Sequence, residues 1–175
     1  MRNYLLSFCV VLIVAAWTTT AMAAPEVFSP TPMYPSHYTA EEQTNLAAAE
    51  TLFNAFAVGD MDTFFGALAS DVVWEINGSP EVISSHGAYY GVAAVQDWVA
   101  DLSAEVEFLE FGTDQFFADG DTVIVLFHDS GIVRATGKMI DQREVAVITY
   151  EDGKVVNFLC FDDSAQELLA LTPDE

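Results

Sequence analysis

Three side chains in this sequence have the type and setting to move a proton inside a cavity: Glu75, His128 and Asp162. Glu75 sits in Val72-Val-Trp-Glu-Ile-Asn77, a strand pattern that places a carboxylate among apolar residues. Burial there would raise its pKa towards neutrality and suit it to act as a general base. Successive strand side chains point to opposite faces, so Trp74 or Glu75, but not both, faces inward. With Trp74 inside, Glu75 is an ordinary strand carboxylate facing water. Asp162 follows an apolar strand and shares its face with Phe158 and Cys160. It also stands just before Ser164-Ala-Gln-Glu167, a capping-box pattern, where an acid simply favours a helix N-terminus. His128 lies on a strand and could serve as acid or base, or merely mark a hairpin end before Asp129-Ser-Gly131. Trp74, Tyr89, Phe127 and Phe158 are the aromatics expected to line a ligand pocket.

Other chemistries lack their signatures. His37, His86 and His128 are scattered, with no metal-ligand spacing. No glycine-rich phosphate loop or Gly-x-Ser-x-Gly elbow occurs. Neither a cofactor nor a metal is expected. The net charge of -22 arises from 27 acids against 5 Lys and Arg. Nucleic-acid binders need clustered cations to displace counterions, so nucleic acid is not an expected partner. Residues 1–23 read as a signal peptide: Arg2, an apolar run over Leu5–Ala16, and Ala21-Met-Ala23 as the cleavage signal. A secreted or periplasmic protein with no stable membrane insertion after leader cleavage is the expectation. Cys9 would leave with the leader, so Cys160 could form no intramolecular disulfide; it reads as a small buried residue.

The elements that must position these residues follow from periodicity. Residues 24–40, rich in proline, read as a linker or arm. Thr39-Ala-Glu-Glu42 opens a helix whose buried face carries Leu46, Ala49, Phe53 and Phe56. Gly59-Asp60 ends it and starts a short helix with Phe64, Phe65 and Leu68. A third helix carries Val92, Val95, Trp98, Val99 and Leu102. Strands are expected near 105–111, 115–118, 121–129, 131–137, 143–150 and 154–162. Asp119-Gly120 and Asp152-Gly153 mark hairpins. Helices followed by antiparallel strands give an α+β class, with residues 41–171 forming one domain.

Several stretches together resemble the SnoaL-like branch of the NTF2-like superfamily. They are Ala57-Val-Gly-Asp60, Leu68-Ala-Ser-Asp-Val-Val-Trp74, Gly87-Ala-Tyr-Tyr-Gly-Val92, Asp119-Gly-Asp-Thr-Val-Ile-Val125, Ala135-Thr-Gly-Lys138, Tyr150-Glu-Asp-Gly-Lys-Val-Val156 and Phe161-Asp162. The resemblance implies a cone-shaped barrel with N-terminal helices packed in a strongly curved, mainly antiparallel sheet. It also implies a homodimer through the open sheet face, expected to include Val123, Val125, Val145 and Val147.

Ketosteroid isomerases belong to the same superfamily. Alignment with them puts Glu75 at the base position, but Leu52 and Ala146 stand where oxyanion donors are needed, and neither can donate. Polyketide cyclases match Asp162 as acid/base, whereas Ala146, Val147 and Ile148 occupy the neighbourhood of the usual His partner. Limonene epoxide hydrolases would use Arg134 and Asp162, but Trp74 and Ile76 replace the polar pair. The resulting expectation is an exported protein that binds a small hydrophobic molecule, with cofactor-independent acid/base catalysis of isomerase or cyclase type. The alternative is a non-catalytic ligand-binding or dimeric interaction module of the same fold.

Overall fold

The computed structural model describes residues 38–174, so the leader and most of the arm lie outside the described residues. Helix α1 spans Ala40–Val58. The Thr39 hydroxyl accepts from the Glu42 amide, and the Glu42 carboxylate accepts from the Thr39 amide at 2.7 Å, a complete capping box. Asp60 caps α2, Met61–Gly66, by accepting from the Thr63 amide. Strands β1 (Leu68–Ile76) and β2 (Gly87–Tyr90) follow, then α3 (Gly91–Glu105). Four long strands complete the sheet: β3 (Val106–Asp119), β4 (Thr122–Val133), β5 (Met139–Glu151) and β6 (Lys154–Phe161). Helix α4 covers Ser164–Leu171.

The six strands form one curved sheet in the order β2-β1-β6-β5-β4-β3. All pairings are antiparallel except β1 with β6. The architecture is therefore the α+β, NTF2-like one read from the sequence. The strand boundaries differ. The segments expected at 105–111 and 115–118 are one strand, and those at 121–129 and 131–137 merge into one strand that ends at Val133. Asp129-Ser-Gly131 is not a hairpin, because its residues pair on both sides: Asp129 with Phe111 and Gln142, Gly131 with Phe108 and Ile140. Continuous backbone pairing outweighs the local turn preference of Ser and Gly. Register shifts at Phe108/Glu110 and Thr113/Gln115 bend β3. Leu68 opens β1 rather than closing α2. The four-residue β2 had no counterpart in the sequence reading.

Helix α1 lies against the concave side of β3 and β4, anchored by Asn45 donating to the Gly120 carbonyl and by Glu42 accepting from the Gly120 amide. Its Phe53 meets Phe127 edge-on at 5.1 Å. On the same concave side, Val123, Val125, Ala146 and Ile148 are completely buried. Val123 and Val125 thus belong to the core and not to the outer sheet face assigned from the sequence. Pairing puts Val147 opposite Ile124 and Val145 opposite Leu126, which is the outer row.

Candidate active site

The concave face holds a cavity of about 100 Å³ that opens to solvent. One part of its wall is aromatic, with Phe53, Phe56, Phe111 and Phe127, and with Trp74 stacked on Phe158 at 3.6 Å and 3°. Another part is acidic: Asp129, Glu144, Asp162 and Glu167 all line it.

Strand parity delivers three of these acids. On β4, Phe127 and Asp129 face inward, and on β5 so does Glu144, which pairs with Phe127. Cys160 on β6 shares the face and donates its thiol proton to Glu144 Oε2 at 3.1 Å. Asp162 continues the parity one step past β6. The fourth acid, Glu167, comes from α4.

His86 stands behind Asp162 and Glu167. Its Nε2 is 3.0 Å from Asp162 Oδ2 and 3.1 Å from Glu167 Oε2, and its side chain is 2% exposed. The Ser164 hydroxyl donates to Asp162 Oδ1 at 2.7 Å, and the Ser85 hydroxyl donates to Glu167 Oε1 at 3.1 Å. These contacts orient both carboxylates. The imidazole has room only because residue 78 is glycine: a Cβ there would lie 2.0 Å from His86 Nδ1, and the backbone φ is +147°. Tyr89 Oη and Trp98 Nε1 both donate to the Ser85 carbonyl, at 3.0 and 3.1 Å. They fix the loop that carries Ser85 and His86.

The acids do not share one charge state. Burial, together with the nearby charges of Asp129 and Asp162, pushes the Glu144 carboxyl up to about 9. Glu144 is therefore neutral at pH 7. Burial also raises Asp129 and Glu167, while the His86 hydrogen bond pulls Glu167 the other way. A buried neutral carboxyl beside a carboxylate is the pairing that separates acid from base roles. His86, Asp162 and Glu167 also present ligand atoms within 4.8 Å of one another and could gather around a cation. The scattered spacing of the histidines had given no hint of this group.

The structure places the sequence candidates as follows. Asp162, Trp74, Phe127 and Phe158 line the cavity. Glu75 does not, because Trp74 takes the inward position and strand alternation turns its neighbour away. His128 is likewise turned outward by one residue from Phe127. It meets Asp114 at 3.0 Å and Glu110 at 3.6 Å on the surface. Tyr89 holds the Ser85 loop and does not line the cavity. Sequence reasoning missed Asp129, Glu144, His86 and Glu167. Parity from Phe127 and from Ala146 would have found the first two. The other two carry no local signal.

The comparisons with known proteins agree with this architecture. The family model for the SnoaL-like domain matches residues 49–158, more than half of the chain. No curated protein matches. Among solved structures, an NTF2-like protein of unknown function from Burkholderia pseudomallei K96243 superposes with a TM-score of 0.68 at 22% identity, covering 74% of this chain and 98% of that one. A protein of Jannaschia sp. CCS1 assigned to the SnoaL-like polyketide cyclases gives 0.69 at 18% identity, covering 81% and 100%. TerC, crystallised with polyporic acid, gives 0.66 at 18%, covering 73% and 97%. At these identities the structural likenesses establish the fold, and the family match establishes membership: this chain belongs to the SnoaL-like domain family.

Proposed function

We propose that the cavity binds a small, flat hydrophobic molecule bearing a carbonyl and transfers a proton on it without a cofactor. One observation carries this reading: Asp162 is held by His86 and Ser164 with its carboxylate on the cavity wall, close to the neutral carboxyl of Glu144. Asp162 takes the proton from the carbon next to the carbonyl. The electron pair moves onto the carbonyl oxygen, where Glu144 donates a hydrogen bond to the developing negative charge. Asp162 then returns the proton to the same carbon or, where a C=C bond adjoins that carbon, to the far end of the resulting dienolate, which moves the double bond as in an isomerisation. His86 is a positioning residue, since it touches Asp162 and Glu167 but does not line the cavity. Glu144 supplies the donor that is missing at Leu52 and Ala146. The cyclase assignment of the Jannaschia relative and the polyporic acid held by TerC support a small-molecule ligand.

The test uses 2-tetralone, a flat bicyclic ketone with acidic α-hydrogens. Exchange of those hydrogens in deuterium oxide, followed by NMR, should be faster with the protein and fall at least tenfold with Asp162→Asn. Equal exchange by that variant would overturn the role of Asp162. Binding without exchange would favour the non-catalytic reading.

We propose further that the protein is exported and cleaved before Ala24, which N-terminal sequencing of the exported chain tests. The outer row of Ile124, Leu126, Val145, Val147 and Phe161 supports a homodimer. Sedimentation at micromolar concentration would detect it, and a clean monomer would exclude it.

A further inference from the structure

Among the described residues, the hydrogen-bond donors to Asp162 and Glu167 are His86 Nε2, Ser164 Oγ and Ser85 Oγ, and none of them is a Lys or Arg. The cavity wall also includes Asp129 and Glu144, and among the described residues no Lys or Arg lines it. The described cations are engaged elsewhere: Arg134 with Glu107, Lys138 with Asp174, Arg143 near Asp114, and Lys154 on the Gly66 carbonyl. Two buried oxygens at the cavity, Gln142 Oε1 and Glu144 Oε1, have no hydrogen-bond partner, and Glu144 is only 8% exposed; the Gln142 oxygen can only accept. A single buried donor of the lining, Trp74 Nε1, is also without one. The remaining wall is aromatic, with Phe53, Phe111, Phe127 and the Trp74–Phe158 stack.

This inventory is lopsided. An anionic ligand would face carboxyl groups with no basic side chain to receive it. A neutral apolar ligand would leave these oxygens unmatched, and a buried polar atom without a partner is unfavourable. A protonated amine supplies up to three N–H donors and a positive charge, and aromatic faces attract such a charge.

We infer that the cavity selects a cationic ligand: a protonated amine on an apolar, ring-bearing body, with one acceptor for Trp74 Nε1. This rests on the small-molecule pocket of the proposed function and names the chemistry of its occupant. The ammonium group would sit against Glu167, leaving Asp162 to face the carbon beside the carbonyl, and the rings against the aromatic wall. The same carboxylates and His86 could instead surround a metal ion, and the experiment separates the two.

Three probes share one ring system: 2-(aminomethyl)naphthalene, 2-(hydroxymethyl)naphthalene and 2-naphthoate. They carry a positive, a neutral and a negative head. Calorimetric titration into the folded protein at pH 7, with EDTA present, should give at least tenfold tighter binding of the amine than of the alcohol, and no binding of naphthoate. Glu167→Gln should weaken the amine by about tenfold and leave the alcohol unchanged. Asp114→Asn, on the outer surface, should leave both unchanged, which separates cavity selection from attraction by the overall acidity. Equal or tighter binding of the alcohol, or an amine preference that survives Glu167→Gln together with Asp162→Asn, would overturn the inference while leaving the hydrophobic pocket intact. Binding of none of the probes would overturn both. A parallel titration with Zn²⁺ alone decides the metal alternative: an ion that binds through His86 and excludes the amine would overturn the inference.

Discussion

His86 and His128 form nearly the same constellation in two places. Each imidazole stands within reach of two carboxylates, His86 with Asp162 and Glu167, His128 with Asp114 and Glu110. The shorter contact is 3.0 Å in both; the longer is 3.1 Å at His86 and 3.6 Å at His128. Exposure differs more: 2% for the His86 side chain and 32% for His128. At the surface, water and salt screen the charges, and such pairs contribute roughly 0–1 kcal/mol. In the cavity wall the carboxylates have already lost their hydration, and removing their partner leaves buried charge uncompensated. The comparison teaches that a histidine beside two acids is strongly coupled to them only where the fold removes the water. The strand that carries His128 shows the same contrast within one residue, since Asp129 beside it faces the cavity.

The strongest way to break this comparison is to truncate both rings. His86→Ala should cost about 3–5 kcal/mol in urea unfolding at pH 7, because Asp162 and Glu167 are left buried together. His128→Ala should cost less than about 1 kcal/mol, and that cost should shrink in 1 M salt. Equal costs would mean that burial does not distinguish the two sites.

A second test sharpens the electrostatics of the inner site. Asp129 from β4 and Cys160 and Asp162 from the β6 side face Glu144. The native state holds the Glu144 proton up to about pH 9, whereas an unfolded glutamate releases it near its ordinary value of 4.5. Its contribution to stability is therefore complete below about pH 4.5 and is lost progressively as pH rises to about 9. Burial raises Asp129 and Glu167 as well, and they act in the same direction. Thermal unfolding should show a falling Tm between pH 5 and 9. Glu144→Gln should flatten that decline and gain on the order of 2 kcal/mol at pH 8. A parallel decline in the variant would place the titration elsewhere.

Smaller effects test how the inner histidine is held. Tyr89→Phe removes the hydroxyl that donates to the Ser85 carbonyl and should cost about 0.5–1.5 kcal/mol. Exchange of 2-tetralone should slow in that variant, because the loop carrying Ser85 and His86 loosens. An unchanged exchange rate would show that Trp98 alone suffices. At the smallest end, Glu75→Gln should change stability by less than about 0.5 kcal/mol and leave exchange untouched, since its side chain lies on the face away from the cavity. A large loss of exchange would return Glu75 to the chemistry.

Local rules made much of the scaffold legible. Thr39 and Glu42 close the capping box they spell, Asp60 caps α2, and the Asp-Gly pairs turn the chain where expected. The terminal helix was also visible, but its cap was read one residue late. Asp163 accepts from the Gln166 amide, and Ser164 turns instead to Asp162. That shift releases Glu167 from the capping role and lets it reach His86. Reading Asp129-Ser-Gly131 as a hairpin likewise hid Asp129, because a strand that ends there has no further inward position to assign.

By itself, then, the sequence determined the α+β class, the helix starts and the turns, because caps, periodicities and turn residues act over a few neighbouring positions. It also determined that Trp74 and Glu75 could not share a face. Which of the two faced inward was decided only when β1 paired with β6 and set Trp74 against Phe158. The meeting of His86 with Asp162 and Glu167 was decided by tertiary structure alone. His86 and Glu167 are 81 residues apart, and no local pattern records that a loop and a terminal helix will meet. They meet because the curved sheet brings the end of β6 to the loop between β1 and β2, and burial there turns two ordinary acids and a histidine into one electrostatic unit.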